Sequence, residues 1–195
     1  AFPTHPVPLA ALREAGTLIC TDGSRDRARQ AGLSPTLTVG DMDSLKDRST
    51  GPGEWIRPET GQETTDLEKA LEWCLENGIA RVTLTGITGG RDDHTLGNLY
   101  VLANSALRLE VTGLTDHFTI SCVWDEQTFT VHPGRRVSLL PVIDSPVVST
   151  EGLQYPLSHE SLLPGGRGIS NRATGDSFFV SVSDGGLLVF IQHPE

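Results

Sequence analysis

The sequence lacks the features that mark several broad classes of protein. It contains no run of 18 apolar residues, so no membrane-spanning helix is predicted. Residues 1–8 lack a basic start followed by an apolar stretch and so do not predict a secretory signal. The only cysteines are Cys20, Cys74 and Cys122, whose wide spacing predicts neither a disulfide framework nor a zinc knuckle. Such cysteine usage favours a reducing compartment, and we expect a cytoplasmic protein.

Positive charge is also scarce. The 195 residues include 15 Lys and Arg against 25 Asp and Glu, a formal net charge of −10, and no basic stripe interrupts this balance. Such a surface repels nucleic acid, so no nucleic-acid partner is predicted. A nucleotide polyphosphate is an anion too, and it would bind only where cations or backbone amides neutralise it. The charge balance therefore anticipates a metal ion wherever a phosphorylated ligand binds.

The first half of the chain alternates strand-like and helix-like segments. Short apolar runs at 17–20, 37–39 and 81–85 predict strands, and segments at 24–31 and 94–104 predict helices. Another helix is predicted from Thr65, which forms a capping box with Glu68 and is followed by an apolar stripe that stops at Gly78. The alternation predicts a Rossmann-like α/β domain with a parallel sheet, over residues 1–125.

The second half of the chain has a different pattern of apolar and polar residues. Residues 118–123, 128–131 and 137–140 alternate with period two, and few helix signals follow Asn104. Two further apolar runs, 178–182 and 187–191, flank Asp184-Gly185-Gly186 and predict a hairpin. We therefore expect a small all-β sandwich or barrel over residues 126–195, with a boundary near Asp125.

Acidic residues follow the predicted strands of the first half. Ligands of open parallel sheets bind beyond the carboxyl ends of the strands, where Asp22, Asp41 and Asp43 lie. Asp41 and Asp43 point to the same side of an extended chain, and Asp66 begins a helix in the same half. Carboxylate oxygens in this number suit Mg²⁺. The competing interpretation is that these residues cap turns and a helix start.

A glycine-rich segment, residues 86–94, joins a predicted strand to a predicted helix. Gly89 and Gly90 can present backbone amides to phosphate oxygens, and Arg91 can hold a phosphate with two hydrogen bonds. Asp93 can bind metal or accept a proton from an attacking hydroxyl. The alternative is a plain strand–helix turn with Asp93 as the N-cap. The segment is neither a Walker loop nor a Rossmann glycine fingerprint.

Six segments, in order along the chain, resemble the signatures of the thiamin pyrophosphokinase family. Three resemble its catalytic half and three its thiamin-binding β domain, and the resemblance extends from about residue 18 to residue 191. The segments are Gly40-Asp41-Met42-Asp43-Ser44, Thr65-Asp66-Leu67-Glu68-Lys69-Ala70-Leu71, Gly89-Gly90-Arg91-Asp92-Asp93-His94-Thr95-Leu96-Gly97-Asn98, Val137-Ser138-Leu139-Leu140-Pro141, Glu151-Gly152-Leu153-Gln154-Tyr155-Pro156-Leu157 and Gly168-Ile169-Ser170-Asn171-Arg172.

The resemblance implies a reaction in which the hydroxyl of thiamin attacks the β-phosphorus of ATP, giving thiamin diphosphate and AMP. It implies homodimers that pair through the β domains. It also implies residue roles: Mg²⁺ on Asp22, Asp41, Asp43 and Asp66, catalysis by Asp43, Asp66, Arg91 and Asp93, nucleotide contacts from Asp22, Gly23, Thr65, Gly89, Gly90 and Arg91, and thiamin contacts from Ser170 and Asn171.

The sequence departs from the family pattern at two places. Ser24 and Arg25 follow Asp22-Gly23, where the family usually has Gly-Ala. Before Thr65-Asp66 the family often has Lys-Asp, whereas this chain has Gln62-Glu63-Thr64. A basic phosphate contact is therefore missing, and Arg25 or Lys69 is the expected substitute. Two other functions stay open: a metal-dependent phosphohydrolase that uses the same acidic residues, and a non-catalytic module that binds thiamin or a nucleotide.

Overall fold

The computed structural model describes residues 1–41, 54–58 and 63–194, with the backbone alone for 55–58. Within these residues no helix is both long and apolar enough to cross a membrane. The helices are α1 Pro6–Glu14, α2 Asp22–Gln30, α3 Asp66–Glu76 and α4 Asp92–Ser105. The strands are β1 Ile19–Thr21, β2 Leu37–Gly40, β3 Trp55–Pro58, β4 Arg81–Thr85, β5 Glu110–Leu114, β6 Phe118–Val123, β7 Glu126–Thr130, β8 Arg136–Glu151, β9 Glu160–Ser161, β10 Asn171–Arg172 and β11 Ser177–Gln192.

A small sheet holds the first three strands. Its order is β1-β2-β3 and all its pairs are parallel, as expected for an α/β unit. Strand β2 is buried along its whole length, and Leu37 and Val39 pack with Ala70 of α3 in a small core. Because all four residues of β2 are buried, the strand does not show the alternation of buried and exposed residues that a half-exposed strand has.

A second sheet of eight strands joins the two halves of the chain. Its main path is β10-β8-β11-β6-β5-β4, with β7 also paired to β11 and β9 to β8. Strands β4 and β5 are parallel, whereas β5 pairs with β6, and β6 with β11, in antiparallel fashion. The expected mixture of α/β and β-rich halves is therefore confirmed. One mixed sheet nevertheless links the halves, because β6 hydrogen bonds to β5 on one side and to β11 on the other.

The predicted hairpin around Asp184 is wrong, because residues 177–192 form one long strand. Asp184-Gly185-Gly186 lies at a bulge, where the register against β8 shifts between Ser183 and Gly185 and again before Leu187. The backbone of Asp184 has φ 58° and that of Gly185 has φ 151°. The left-handed conformation that favours a turn here bends a strand instead, because β8 continues alongside on both sides of the bulge.

A cleft of about 1060 Å³ separates the two sheets. Strands β1 and β4 both line it, and residues from α1, α2, α3 and the start of α4 also contribute. Within the described residues β1 pairs only with β2, and β4 only with β5. Thr21 and Thr85, at the carboxyl ends of β1 and β4, both line this cleft, and the candidate site includes residues that follow them.

Candidate functional site

Two of the predicted metal ligands converge on Gly40, at the end of β2. A Cβ atom placed on Gly40 would lie 2.7 Å from the Cβ of Asp22 and 2.9 Å from Oδ2 of Asp66. Asp22 is only 2% exposed at the start of α2, and Asp66 begins α3. Asp41 follows Gly40 directly. The structure thus brings Asp22 and Asp66 together at Gly40, and we call these three residues, with Asp41 as the next residue in the sequence, the acidic cluster.

Local sequence sets the position of Asp66. The side chain of Thr65 accepts a hydrogen bond from the backbone N–H of Glu68 at 3.3 Å, and Oε2 of Glu68 accepts one from the N–H of Thr65 at 2.7 Å. The predicted capping box is therefore confirmed, and Gly78 follows the helix with φ 71°. Because the cap fixes where α3 begins, Asp66 is held in its first turn.

The two candidate basic substitutes have different environments. Nζ of Lys69 lies 3.3 Å from Oδ1 of Asp66, beside the acidic cluster. The expectation for Arg25 is wrong, because its side chain is fully buried and its Nε donates to Oε1 of Glu54 at 2.6 Å. A guanidinium committed to a buried carboxylate cannot reach a phosphate, so Lys69 is the one that remains.

Glu54 is a residue that the sequence analysis missed. Its carboxylate accepts hydrogen bonds from Arg25, Arg29 and the hydroxyl of Thr38, so it ties α2 to β2 beneath Asp22. The partners lie 16 to 29 residues away along the chain. No local pattern could have revealed this role.

Arg91 and Asp93 form an exposed pair at the start of α4. Nη2 of Arg91 donates to Oδ2 of Asp93 at 2.6 Å, and Nε donates to Oδ1 at 3.1 Å. The hydrogen bond from Arg91, followed by one from the backbone N–H of His94, lowers the pKa of Asp93. Asp93 lies within the first turn, whereas the N-cap is Arg91. Asp93 is therefore a carboxylate held ionised beside a guanidinium.

The glycine-rich segment between β4 and α4 is tied to the helix that follows it. The amide of Asn98 in α4 donates to the backbone oxygen of Ile87 at 3.0 Å. Gly86 and Gly89 have φ values of 70° and 76°, so the turn uses backbone conformations that favour glycine.

Predicted site residues from both sides line the mouth of the same cleft. They are Gly23, Thr65, Asp66, Gly90 and Arg91, with His94 beside them. Asp43 lies outside the described residues. Within the residues that the structure describes, no set of three metal-ligating side chains is assembled. One cleft is thus lined by the carboxylate of Asp66 and by the glycine-rich turn with Arg91.

Ser170 and Asn171 lie elsewhere, at the start of β10. The side chain of Asn171 is buried and bonds the backbone N–H and oxygen of Tyr155, at 3.0 and 2.7 Å. Ser170 has φ 62°, and its N–H donates to the hydroxyl oxygen of Ser138 at 3.1 Å. Asn171 therefore holds the segment around Tyr155 in place, and the side chain of Ser170 is exposed.

The two halves of the chain match two family descriptions in order. Residues 10–112 match the catalytic domain of thiamin pyrophosphokinase, and residues 125–187 match its vitamin B1 binding domain. The matches follow the order of a two-part enzyme family, a catalytic domain followed by a vitamin B1 binding domain. Because the catalytic-domain match alone covers more than half of the sequence, the chain belongs to the thiamin pyrophosphokinase family.

Named relatives have the same family name. Thiamine pyrophosphokinase of Bacillus subtilis is 28% identical over 138 residues, covering 66% of this chain and 64% of the relative. Thiamine pyrophosphokinase 3 of Oryza sativa subsp. japonica is 29% identical over 177 residues, covering 80% of this chain and 65% of the relative. The chain thus spans slightly less than two thirds of the length of these curated relatives.

Solved structures share the fold. Thiamin pyrophosphokinase from Geobacillus thermodenitrificans superposes with a TM-score of 0.76 at 26% identity, covering 92% of this chain and 87% of that one. Thiamin pyrophosphokinase from Candida albicans superposes with a TM-score of 0.82 over 100% of this chain and 88% of that one. Its 17% identity makes the second likeness evidence of fold alone.

Proposed function

We propose that this chain transfers a pyrophosphoryl group from ATP to the hydroxyl of thiamin, giving thiamin diphosphate and AMP. The observation that carries the proposal is the ordered pair of family matches, catalytic half followed by vitamin B1 half. The cleft supports it with groups that such a transfer needs, because Asp66, the guanidinium of Arg91 and the glycine-rich turn all line it. Phosphoryl-type transfer depends on positioning and charge neutralisation rather than on a covalent intermediate.

Mg²⁺ fits the acidic cluster by donor chemistry. Asp22, Asp41 and Asp66 offer hard carboxylate oxygens, which Mg²⁺ prefers together with phosphate oxygens and water. The side-chain-free space at Gly40, into which Asp22 and Asp66 converge, is the feature that supports such a site. When bound, the ion would neutralise charge on the triphosphate. Asp43 is proposed to complete this ligand set.

Other residues of the chain are proposed to bind the phosphates and to orient the thiamin hydroxyl. Gly23, Thr65, Gly89 and Gly90 offer backbone groups near the phosphates, and Arg91 orients them. Asp93 is proposed to accept a hydrogen bond from the thiamin hydroxyl and so direct its attack. The lowered pKa of Asp93 supports an orienting role over a strongly basic one, because a carboxylate stabilised by Arg91 binds protons weakly.

The second half is proposed to bind thiamin and to pair two copies. We assign nucleotide and metal binding to residues 1–125, as a Rossmann-like unit, and thiamin binding and dimerisation to a sandwich-like unit, residues 126–195. The exposed hydroxyl of Ser170 is the proposed thiamin contact, and Asn171 orients the segment that carries it. The thiols of Cys20, Cys74 and Cys122 are unpaired in the described chain, which supports the proposed cytoplasmic location.

The product assay tests the proposal directly. Protein incubated with ATP, Mg²⁺ and thiamin is expected to form thiamin diphosphate and AMP in equal amounts. Release of inorganic phosphate without a thiamin product would establish the phosphohydrolase instead. Binding of thiamin and ATP with no turnover would establish the non-catalytic module.

Two variants separate the acidic cluster from general charge effects. Asp66→Asn is expected to reduce turnover about 100-fold or more, because a carboxylate that neutralises the phosphates is lost. Asp176→Asn removes an exposed carboxylate in the second half and should leave turnover within about twofold. Equal turnover in the two variants would remove Asp66 from the site.

A further inference from the structure

Away from the cleft, three arginines gather at one end of the large sheet. Arg136 begins β8, Arg135 directly precedes it, and Arg172 ends β10. They line a pocket of about 240 Å³ together with His193 and Gln192. Within the described residues, none of the three guanidiniums has a carboxylate as an ion-pair partner. The group is unexpected in a chain whose net charge is −10.

The strand register forces two of these charges together. Arg136 and Arg172 are direct partners in the antiparallel pairing of β8 and β10. Directly opposed side chains lie on one face with Cβ atoms about 4.5–5.5 Å apart, and like charges in such a pair destabilise the sheet. Nη1 of Arg172 donates to the backbone oxygen of Gly134 at 3.1 Å, which holds its guanidinium beside the pocket. The strand register therefore holds two positive charges close together, and a bound anion would reduce the repulsion between them.

His193 adds an independent sign of an incomplete site. It is 6% exposed and its Nε2 lies 3.1 Å from the hydroxyl oxygen of Thr119. Its buried Nδ1 has no hydrogen-bond partner among the residues that the structure describes. Burial, followed by the nearby His5, His117 and Arg135, lowers the pKa of His193, while Asp116 opposes the shift. The surroundings of this imidazole are thus short of negative charge and of one hydrogen-bond partner.

We propose that the pocket lined by Arg135, Arg136, Arg172 and His193 binds a phosphate group. A tetrahedral oxyanion can accept two hydrogen bonds from each guanidinium fork, and its charge would neutralise the opposed arginines. The pocket volume admits inorganic phosphate or the phosphate end of a small metabolite, and it is too small for a whole nucleotide. The site is separate from the acidic cluster and does not depend on the proposed transfer activity.

The test uses the full chain in magnesium-free buffer with EDTA, at low ionic strength, and inorganic phosphate as the probe. Without Mg²⁺ the acidic cluster disfavours phosphate in the cleft, and the signals of His193 together with the variants below distinguish this pocket from the phosphate contacts proposed at Arg91. Phosphate should shift the side-chain NMR signals of His193, and calorimetry gives the affinity. Acetate at the same concentration is the comparison anion. Binding of acetate as tight as that of phosphate would overturn the assignment to a phosphate group.

Matched variants locate the binding. The double variant Arg136→Gln with Arg172→Gln should weaken phosphate binding about tenfold or more, because charge-assisted hydrogen bonds are lost. Arg13→Gln, which removes an exposed arginine from α1, should leave the affinity within about twofold. The double variant should also keep its melting temperature or raise it, since a like-charge pair is removed. Equal affinities in the two proteins, or no phosphate shift at His193, would overturn the proposal.

Discussion

Gly40 has no side chain, and this is what lets Asp22 and Asp66 approach one another. Its backbone has φ 154°, in a region that residues with a side chain rarely adopt. The contacts at 2.7 and 2.9 Å are shorter than a real Cβ atom tolerates. The acidic cluster therefore depends on a residue that contributes no ligand atom of its own side chain.

Gly40→Ala is expected to lower the free energy of unfolding by about 1–3 kcal/mol, because the added methyl group collides with the Cβ of Asp22 and the carboxylate of Asp66 and strains the backbone. Urea denaturation measures this change, and the product assay should show reduced turnover. Gly97→Ala is the matched control for stability: its Cβ meets no atom within 4 Å inside α4. That change should raise stability by about 0.5–1 kcal/mol. The same sign for both variants would contradict the crowding at Gly40.

The Arg91–Asp93 pair predicts a definite pH response. Arg91→Gln removes the strongest influence that lowers the pKa of Asp93, so this pKa should rise towards its ordinary value of about 3.9. In the unsubstituted chain the pair favours the folded state above the ordinary carboxyl pKa, and that contribution disappears as pH falls through the lowered value. Carboxyl-carbon NMR titration of Asp93 measures the shift. An unchanged titration would mean that the pair does not persist in solution.

At the scale of elements, α2 depends on a buried charge. Glu54 lies directly before β3 and accepts hydrogen bonds from both Arg25 and Arg29 of α2. Desolvating an ion pair is costly, but removing one partner costs more because the other charge stays buried. The contacts of Glu54 with Arg25 and Arg29 therefore position α2, and with it Asp22 at the start of that helix.

Glu54→Gln is expected to lower the free energy of unfolding by about 3–5 kcal/mol, since the buried guanidinium of Arg25 would lose its ion pair with the Glu54 carboxylate. Glu72→Gln is the control, because its pair with Arg108 is exposed and should contribute only about 0–1 kcal/mol. Urea denaturation of both variants makes the comparison. A loss for Glu54→Gln no larger than that for Glu72→Gln would show that the buried pair does not stabilise the fold.

The elements also show where sequence reasoning succeeds. Helix α3 was predictable because its cap, apolar stripe and stop glycine are all local, and Asp22 and Asp66 were found from their places at element ends. The long strand β11 and the burial of Arg25 were not, because both depend on partners distant in sequence. Helix α1 was overlooked, although His5 as N-cap before Pro6 is a local start signal.

At the scale of the whole molecule, the two sheets have unequal support. Strands β1 to β3 are three or four residues long, and among the side chains that the structure describes their core contains Leu37, Val39 and Ala70 as its buried apolar residues. The large sheet is backed by two broader cores, one on each side of β11. Across the cleft, β1 and β4 share no strand pairing in the described chain.

We therefore expect the small sheet to open more readily than the large one. Native-state hydrogen exchange should show lower opening free energies for the amides of β2 than for those of β11, since fewer buried contacts hold β2. The acidic cluster at the end of β2 would then belong to the more mobile part of the protein. Equal opening energies for the two strands would mean that the cleft does not divide the fold into separate cooperative units.

The two-sided burial of β11 limits how this chain can change its length. Leu187 and Val189 face one core, whereas Leu188 and Phe190 face the other. Inserting a single residue among them would exchange the two sets of side chains and mismatch both cores at once. The bulge at Asp184-Gly185-Gly186, where the register already shifts, is the place in this strand where an added residue can be absorbed. In evolution, insertions and deletions in β11 should therefore be tolerated at Asp184-Gly185-Gly186, the segment whose sequence predicts a turn.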